Sequence, residues 1–452
     1  MNKFDVIIIG GGAAGFAVAS FLNGNGYKKN VLIIERNAKS MRKLAITGKG
    51  RCNLTNHCDN ETLFGNLIRN PAFMRSALAR FSPSDTMKWF EGMGVPLKVE
   101  RGGRVFPVSD NAFDVVDALR RAAGTAKVVH NRVNRLIYSL TPEIPAEFPP
   151  QGEQSSPFGT PLYRFSSKIG ITPEIPAEFS PQGGQIRGVG CENGEEYYSE
   201  NVVVATGGMS YPATGSTGDG YELARLAGHS ISPLKPALVP LETIEDFSAM
   251  SGLTLKNVKL TLKKGEKSIY SEQGEMLFTH FGVSGPLILT ASCYMDSPPE
   301  EYTLSIDFKP ALDERTLDAR ILRDFAENKN RQFKNSLSGL LPEKLVDVFV
   351  EGSRIEPFKQ VNAVSKEERR RLVSLFKAFR LGVKGFRPIE EAIVTDGGVC
   401  VREISPKTMQ SKLVKGLYFA GEVADVFGLT GGFNLQIAFS TAYAAAMSIN
   451  QI

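Results

Sequence analysis

No stretch of this chain reaches the roughly 18 consecutive apolar residues that a bilayer crossing requires. Its opening, Met1-Asn2-Lys3-Phe4, runs straight into a β-branched segment and leaves no room for a secretory signal layout. The expected compartment is therefore the cytoplasm, with no membrane partner. Cysteine is scarce as well: Cys52, Cys58, Cys191, Cys293 and Cys400 are the only five. They are scattered and include no C-x-x-C pair. That excludes a disulfide framework, a vicinal dithiol redox centre and ordinary metal-ligand spacing, so no bound metal is expected. Charge of one sign is in short supply too. A net charge of +5 favours anionic ligands or RNA but is too small to demonstrate either. The basic run 366–371 reads as a solvated helix face.

What is present is the composition of a globular protein, 42% hydrophobic and 22% charged over 452 residues. That length exceeds one ordinary core and implies two or three domains. Residues 4–35 read as a βαβ start, with a buried apolar strand from 4 to 9, a small-residue helix from 13 to 22, and a second strand ending at Glu35. A Gly-rich basic loop is expected over 39–56, helices around 71–91, a hairpin through 101–107, and a helix beginning near Asn111. The octapeptide Thr-Pro-Glu-Ile-Pro-Ala-Glu-Phe occurs at 141–148 and again at 172–179. Two copies rich in Pro and Glu cannot stack a core, so 139–185 is expected to be a flexible loop between strands of a small meander. The rest divides into a β-rich stretch over 233–311, a helical one over 312–385, and a return to strand and helix over 386–452. Residues 1–232 and 386–452 thus read as one α/β nucleotide-binding domain, interrupted by an inserted β plus α region.

Gly10-Gly11-Gly12-Ala13-Ala14-Gly15 lies between the first strand and helix. Gly10 permits the tight turn, Gly12 lets the backbone approach a pyrophosphate, and Gly15 permits close helix–strand packing. The helix start at Ala13 and Ala14 then presents free N–H groups and a positive dipole end to the phosphates. Glu35, followed by Arg36, ends the second strand, where its carboxylate can accept both ribose hydroxyls of an adenosine. Arg42, Lys43 and Arg51 are sensible diphosphate partners. The turn alone does not distinguish NAD from FAD.

Three further segments bear on that choice: Val202-Val203-Val204-Ala205-Thr206-Gly207-Gly208, an apolar strand breaking into a glycine pair; Tyr418-Phe419-Ala420-Gly421-Glu422-Val423-Ala424-Asp425, a strand ending in acids; and Gly431-Gly432-Phe433-Asn434-Leu435-Gln436, a glycine pair opening the final helix. The last offers N–H groups and a positive dipole end to the anionic N1 and O2 region of a reduced flavin.

On these motifs the chain resembles the BaiN/YhiN-like family of FAD-dependent oxidoreductases, related to the fumarate-reductase group. Shared blocks include Arg42-Lys43-Leu44, Gly50-Arg51-Cys52-Asn53-Leu54-Thr55-Asn56, Gly103-Arg104-Val105-Phe106-Pro107, Val394-Thr395-Asp396-Gly397-Gly398-Val399 and 421–436. The resemblance implies a two-dinucleotide-type (Rossmann-like) FAD domain, interrupted by an inserted β-barrel-like domain and a small helical one. It implies non-covalent FAD, with Lys43, Gly48, Gly50, Arg51, Cys52 and Asn53 along the pyrophosphate and flavin. By the same resemblance Val133 contacts the adenine through its backbone, and Asp425 or Glu422 bonds the ribityl or phosphate region. No counterpart exists for 141–185.

Reduction of a C=C bond needs hydride from a flavin and a proton delivered to the neighbouring carbon. Candidates for the proton are His280, Cys52 and Tyr211. With no second Gly-x-Gly-x-x-Gly unit, NAD(P)H would serve only as a transient electron donor. The preferred expectation is a small-molecule reductase or oxidase working in a cleft between the FAD and inserted domains. The alternatives are reduction of uridine to dihydrouridine in ribosomal RNA, and a flavin-binding sensor or assembly factor with little turnover. Oligomeric state is not indicated.

Overall fold

Val6–Ile9 and Val31–Glu35 are buried along their whole length, as strands covered on both faces of a parallel sheet must be. A computed structural model describes residues 2–24, 30–139 and 183–451, with the backbone of 162–164. The two copies of the octapeptide, and most of the loop expected over 139–185, lie outside the described residues. Within that stretch Leu162–Arg164 is a strand, paired antiparallel with Ser139, Tyr138 and Ile137.

The chain forms two compact units, Met1–Pro236 with Ile393–Ile452, and Ala237–Ala392. The first is built on a five-stranded sheet in the order Leu417–Phe419, Val202–Val204, Val6–Ile9, Val31–Glu35, Lys127–His130. Every neighbouring pair in it is parallel. This is the Rossmann arrangement, and its outermost strand at one edge is supplied from near the C-terminus. A smaller antiparallel sheet runs in the order Glu196–Tyr198, Gln185–Cys191, Val133–Ser139, Leu162–Arg164. The region expected as a loop over 39–56 instead holds a helical stretch, Arg42–Gly50, that breaks where Gly48 and Lys49 take left-handed φ of 58° and 59°. The expected helix start at Asn111 is observed, its side chain accepting from the Phe113 N–H ahead of Ala112–Ala122.

The final helix, Phe433–Asn450, is tied into this unit by one buried amide. Gln436 is 0% exposed. Its Oε1 accepts from Thr55 Oγ1 at 2.6 Å and Thr86 Oγ1 at 2.8 Å, while its Nε2 donates to the Phe81 carbonyl at 3.1 Å and Ser440 Oγ at 2.9 Å.

In the second unit six strands close a barrel in the order Leu241–Thr243, Gly282–Ser284, Lys267–Thr279, Thr254–Lys264, Tyr302–Asp307, Phe379–Phe386. The closing strand, Phe379–Phe386, falls at the end of the stretch expected to be helical. Its apolar residues Phe379, Leu381 and Val383 alternate with more exposed ones, a strand period that a run of helices had overshadowed. Helices Glu314–Glu327, Glu343–Ser353 and Lys366–Lys377 precede it, the third opened by a reciprocal Ser365/Glu368 cap. Phe349 stacks on Phe379 at 5.7 Å and meets Phe308 edge-on at 5.1 Å, so barrel and helices share one core. Among the described residues no helix is long and apolar enough to cross a membrane.

Replacing Gln436 by Ala leaves the Thr55 and Thr86 hydroxyls without this acceptor, while the Phe81 carbonyl keeps the Ser440 hydroxyl at 2.7 Å. We expect a loss of about 3 kcal/mol, read as a lower urea midpoint for the first unit, with the barrel unit's transition unmoved.

Candidate functional site

The first strand, turn and helix form the floor of an open groove in the Rossmann unit. Gly10 has φ 103°, and a Cβ there would stand 2.5 Å from the Ala205 carbonyl oxygen. A Cβ on Gly15 would stand 2.0 Å from the Gly10 carbonyl oxygen. Neither position accepts a side chain, so strand, turn and helix pack at backbone contact. At Gly12, by contrast, no atom lies within 4 Å of an added Cβ. The backbone is bare there, and the N-terminus of Ala13–Gly24 begins just behind it, offering unpaired N–H groups and a positive dipole end.

The groove is open to solvent and holds a cavity of about 200 Å³. Gly10, Gly12, Ala13 and Ala14 line it from the turn, Glu35 and Arg36 from the second strand's end, and Arg42 and Lys43 from the kinked helix. Val133, Ala205, Thr206 and Gly207 also line it, as do Gly421, Glu422, Asn434 and Leu435 from the C-terminal segment. Residues from opposite ends of the chain therefore share one surface.

Glu35 is 8% exposed. Its Oε2 accepts from the Gly11 N–H and its Oε1 from the Asn37 N–H, each at 2.8 Å. An ionised carboxylate has about four lone-pair sites, so two remain for hydroxyl donors. Lys43 Nζ donates to Glu422 Oε2 and Ser210 Oγ, both at 2.7 Å, and the Thr395 N–H donates to Glu422 Oε1 at 3.0 Å. Arg132 grips Asp219 through two bonds of 2.9 Å, with Arg36 Nη1 at 3.3 Å from the same carboxylate. Burial is the largest single influence on the Asp219 carboxyl and opposes its charge, but the Arg132 hydrogen bonds, the charges of Arg132 and Arg36 and a Thr217 hydrogen bond together hold it below its ordinary value. Thr206 Oγ1 is buried with no hydrogen-bond partner among the described residues. A bare Gly12, a helix N-terminus, a half-used buried carboxylate and an orphaned hydroxyl together fit a dinucleotide.

Other expected site residues lie outside the lining. Gly15 packs beneath the floor, while Gly48, Gly50, Arg51, Cys52 and Asn53 form the bend after the kinked helix. Arg51 is committed to Glu100 and Asp110, with its guanidinium 4.1 Å from the Phe106 ring centre. Those two carboxylates, by their hydrogen bonds, raise its pKa. Asn53 Oδ1 is buried and has no hydrogen-bond partner among the described residues. Cys52 is 0% exposed, and burial pushes its thiol up to about 12, a little offset by a Thr47 hydrogen bond. Asp425 is held by Arg69 at 2.9 and 3.2 Å and by Ser232 Oγ at 2.7 Å. Gly432 abuts the Thr55 backbone, with 2.3 Å from an added Cβ to the carbonyl oxygen, and Phe433 is buried. Tyr211 takes a left-handed φ of 54° and is 37% exposed. His280 belongs to the barrel unit, exposed between Lys267–Thr279 and Gly282–Ser284, its ring 5.0 Å from that of Phe281.

Sequence reasoning missed Asn131, Arg132, Thr47, Met41 and Asp219 as lining residues. Arg132 directly precedes Val133, yet nothing in the local sequence signals its pairing with Asp219, far along the chain.

Residues 4–141 match the Rossmann domain of HI0933-like proteins, and residues 235–394 match the barrel and H2TH domain of the same proteins. A ribosomal RNA dihydrouridine synthase of Haemophilus influenzae is 32% identical over 98% of this chain and 98% of its own. One from Escherichia coli is 30% identical over 99% and 98%. A 3-dehydro-bile acid delta(4,6)-reductase of Clostridium scindens is 28% identical over 98% of each.

Two predictions follow from the groove and its margin. Glu35→Gln puts an amide donor against one of the two backbone N–H donors, and the affinity of the groove for a dinucleotide should fall about tenfold or more, measured by fluorescence titration with FAD and NAD in turn. The Cys52 thiol stays neutral below about pH 9, its ordinary value, and on up toward about 12. Alkylation of the native protein at pH 8 followed by peptide mass mapping should therefore leave Cys52 unmodified. The stability its neutral form contributes is fully present below pH 9 and is lost as pH rises toward 12.

Proposed function

The chain belongs to the HI0933-like family, the BaiN/YhiN-like group to which its motifs point, and on that premise we propose an FAD-dependent oxidoreductase that reduces uridine to dihydrouridine in ribosomal RNA. The observation that carries the substrate is end-to-end similarity, over 98% of both chains at 32% identity, to a relative bearing that name. The groove supports the cofactor. Glu35 would accept the ribose hydroxyls, the bare Gly12 backbone and the start of Ala13–Gly24 would hold the diphosphate, and Asn434 and Leu435 would bring the last helix's N-terminus to the flavin's anionic edge. FAD, when bound, supplies hydride, and NAD(P)H is the proposed transient source of it.

The protein's own chemical contribution is to orient the ring and deliver one proton to the carbon next to the hydride acceptor. Cys52 is poorly suited, walled off and firmly protonated. Tyr211 and His280, both exposed, are the better proton donors. A second reading, reduction of a conjugated C=C bond in a small molecule, is favoured by the bile acid reductase relative at 28% identity. This was the preferred expectation from the sequence alone, and it shares the same cofactor and the same bond order change.

Mass analysis of ribosomal RNA from cells lacking this gene should show a dihydrouridine lost and restored on complementation. An unchanged dihydrouridine inventory would sink the RNA substrate. The cofactor is tested separately: the purified protein should show flavin absorbance that NADPH or NADH bleaches under anaerobic conditions.

A further inference from the structure

In the barrel-and-helix unit two connecting segments run side by side as a short antiparallel ladder. The Val361 N–H donates to the Arg331 carbonyl at 3.0 Å, Phe333 N–H to Lys359 at 2.8 Å, and Lys334 N–H to Pro357 at 3.0 Å. The Asn362 N–H closes the far end on the Lys329 carbonyl at 3.4 Å. This ladder has no place in the groove described above.

Its composition is unusual for this chain. From 328 to 342 the sequence reads Asn-Lys-Asn-Arg-Gln-Phe-Lys-Asn-Ser-Leu-Ser-Gly-Leu-Leu-Pro, without one carboxylate, and none occurs from 357 to 366. Lys359, on the second segment, pairs with Glu368, and nearby Arg369 pairs with Asp318 and Lys377 with Asp307. No ion pair joins Lys329, Arg331 or Lys334 to a carboxylate among the described residues. Lys329 and Arg331 are both exposed, in the turn that the Arg331 N–H closes on the Asn328 carbonyl at 2.8 Å. Across the ladder, Phe358 is 59% exposed although Lys334 Nζ sits 4.2 Å from its ring centre. It is the single large apolar side chain exposed in these two segments.

A lone exposed ring is too small a patch for an apolar protein partner. Set among unanswered cations and side-chain amides, it matches a different ligand: a flexible polyanion whose unpaired bases present π faces. We propose that a single-stranded segment of RNA docks on this ladder, its phosphates on Lys329, Arg331 and Lys334 and one base stacked on Phe358. The proposal rests on the ribosomal RNA reading and adds to it a contact surface remote in sequence from every groove residue. The surface would discriminate an unpaired loop from a duplex, because only unpaired bases can stack on the ring.

The test uses the full chain and a fluorescein-labelled, unstructured RNA of about 20 nucleotides, titrated by anisotropy over a range of salt. Phe358→Ala should weaken binding roughly 5- to 150-fold, the range that base stacking on an aromatic side chain spans. The combined Lys329→Ala, Arg331→Ala and Lys334→Ala variant should flatten the log–log salt slope by about 2, at about 0.7 per phosphate contact. Unchanged melting temperatures are expected, since the side chains replaced face solvent. If both variants bind as the native chain does, the ladder is overturned as the docking surface while the RNA reading stands. If the native chain itself fails to bind RNA at low salt, both fall. If the charge variant weakens heparin and RNA alike and Phe358→Ala changes nothing, the patch is a general polyanion site and the stacking proposal is overturned.

Discussion

The Gln436 side-chain amide joins the two ends of the chain in one core. All four of its hydrogen-bonding positions are used, on Thr55, Thr86, Phe81 and Ser440. A buried amide so satisfied contributes modestly to stability, but leaving any of its partners unpaired is expensive. That asymmetry makes the register of the last helix nearly discrete: a slip of one residue would bury several unpaired groups. Because Gln436 sits in the helix's first turn, fixing it also fixes Asn434 and Leu435 at the groove. Gly432 then has to pass the Thr55 backbone at a distance no side chain allows.

Charge in the groove follows a related logic. Lys43 is answered by Glu422, Asp219 by Arg132 and Arg36, and Asp425, off the groove, by Arg69. Pairs this exposed add little to stability on their own. Their effect is positional: Lys43 and Glu422, and Asp219 with Arg132 and Arg36, hold one another in place on the groove's lining. Glu35 differs, because it is nearly buried and its backbone donors leave half of its acceptor capacity free. The cations outside the groove split the same way. Arg51 is spent on Glu100 and Asp110, whereas on the ladder of the second unit Lys359 has Glu368 and no ion pair joins Lys329, Arg331 or Lys334 to a carboxylate among the described residues.

Much of the fold was legible residue by residue. The βαβ start, the helix start near Asn111, the 71–91 helices and the C-terminal helix each depend on local pattern, and each is observed. The barrel's closure was not legible, since Phe379–Phe386 pairs with Tyr302–Asp307 across three intervening helices. Of the candidate site, the residues of the glycine turn, Glu35 and the ends of the late strands line the groove. The 48–53 bend was harder to place. Its glycines and its basic residue have the composition of a phosphate loop, but Arg51 found carboxylates fifty and sixty residues away instead.

The amino-acid sequence by itself determined the nucleotide turn, because strand, glycines, helix and terminal acid lie within one contiguous segment whose geometry is set by short-range sterics. It also spoke against a C-x-x-C dithiol or a cysteine metal site, which needs only a count and a spacing. Tertiary structure alone decided which charges face the groove and which are already neutralised. Lys43 meets Glu422, and Thr55 meets Gln436, across more than three hundred residues of chain. Interactions of that range are selected by packing and by the cost of an unpaired buried group, and neither is written in any local stretch of residues.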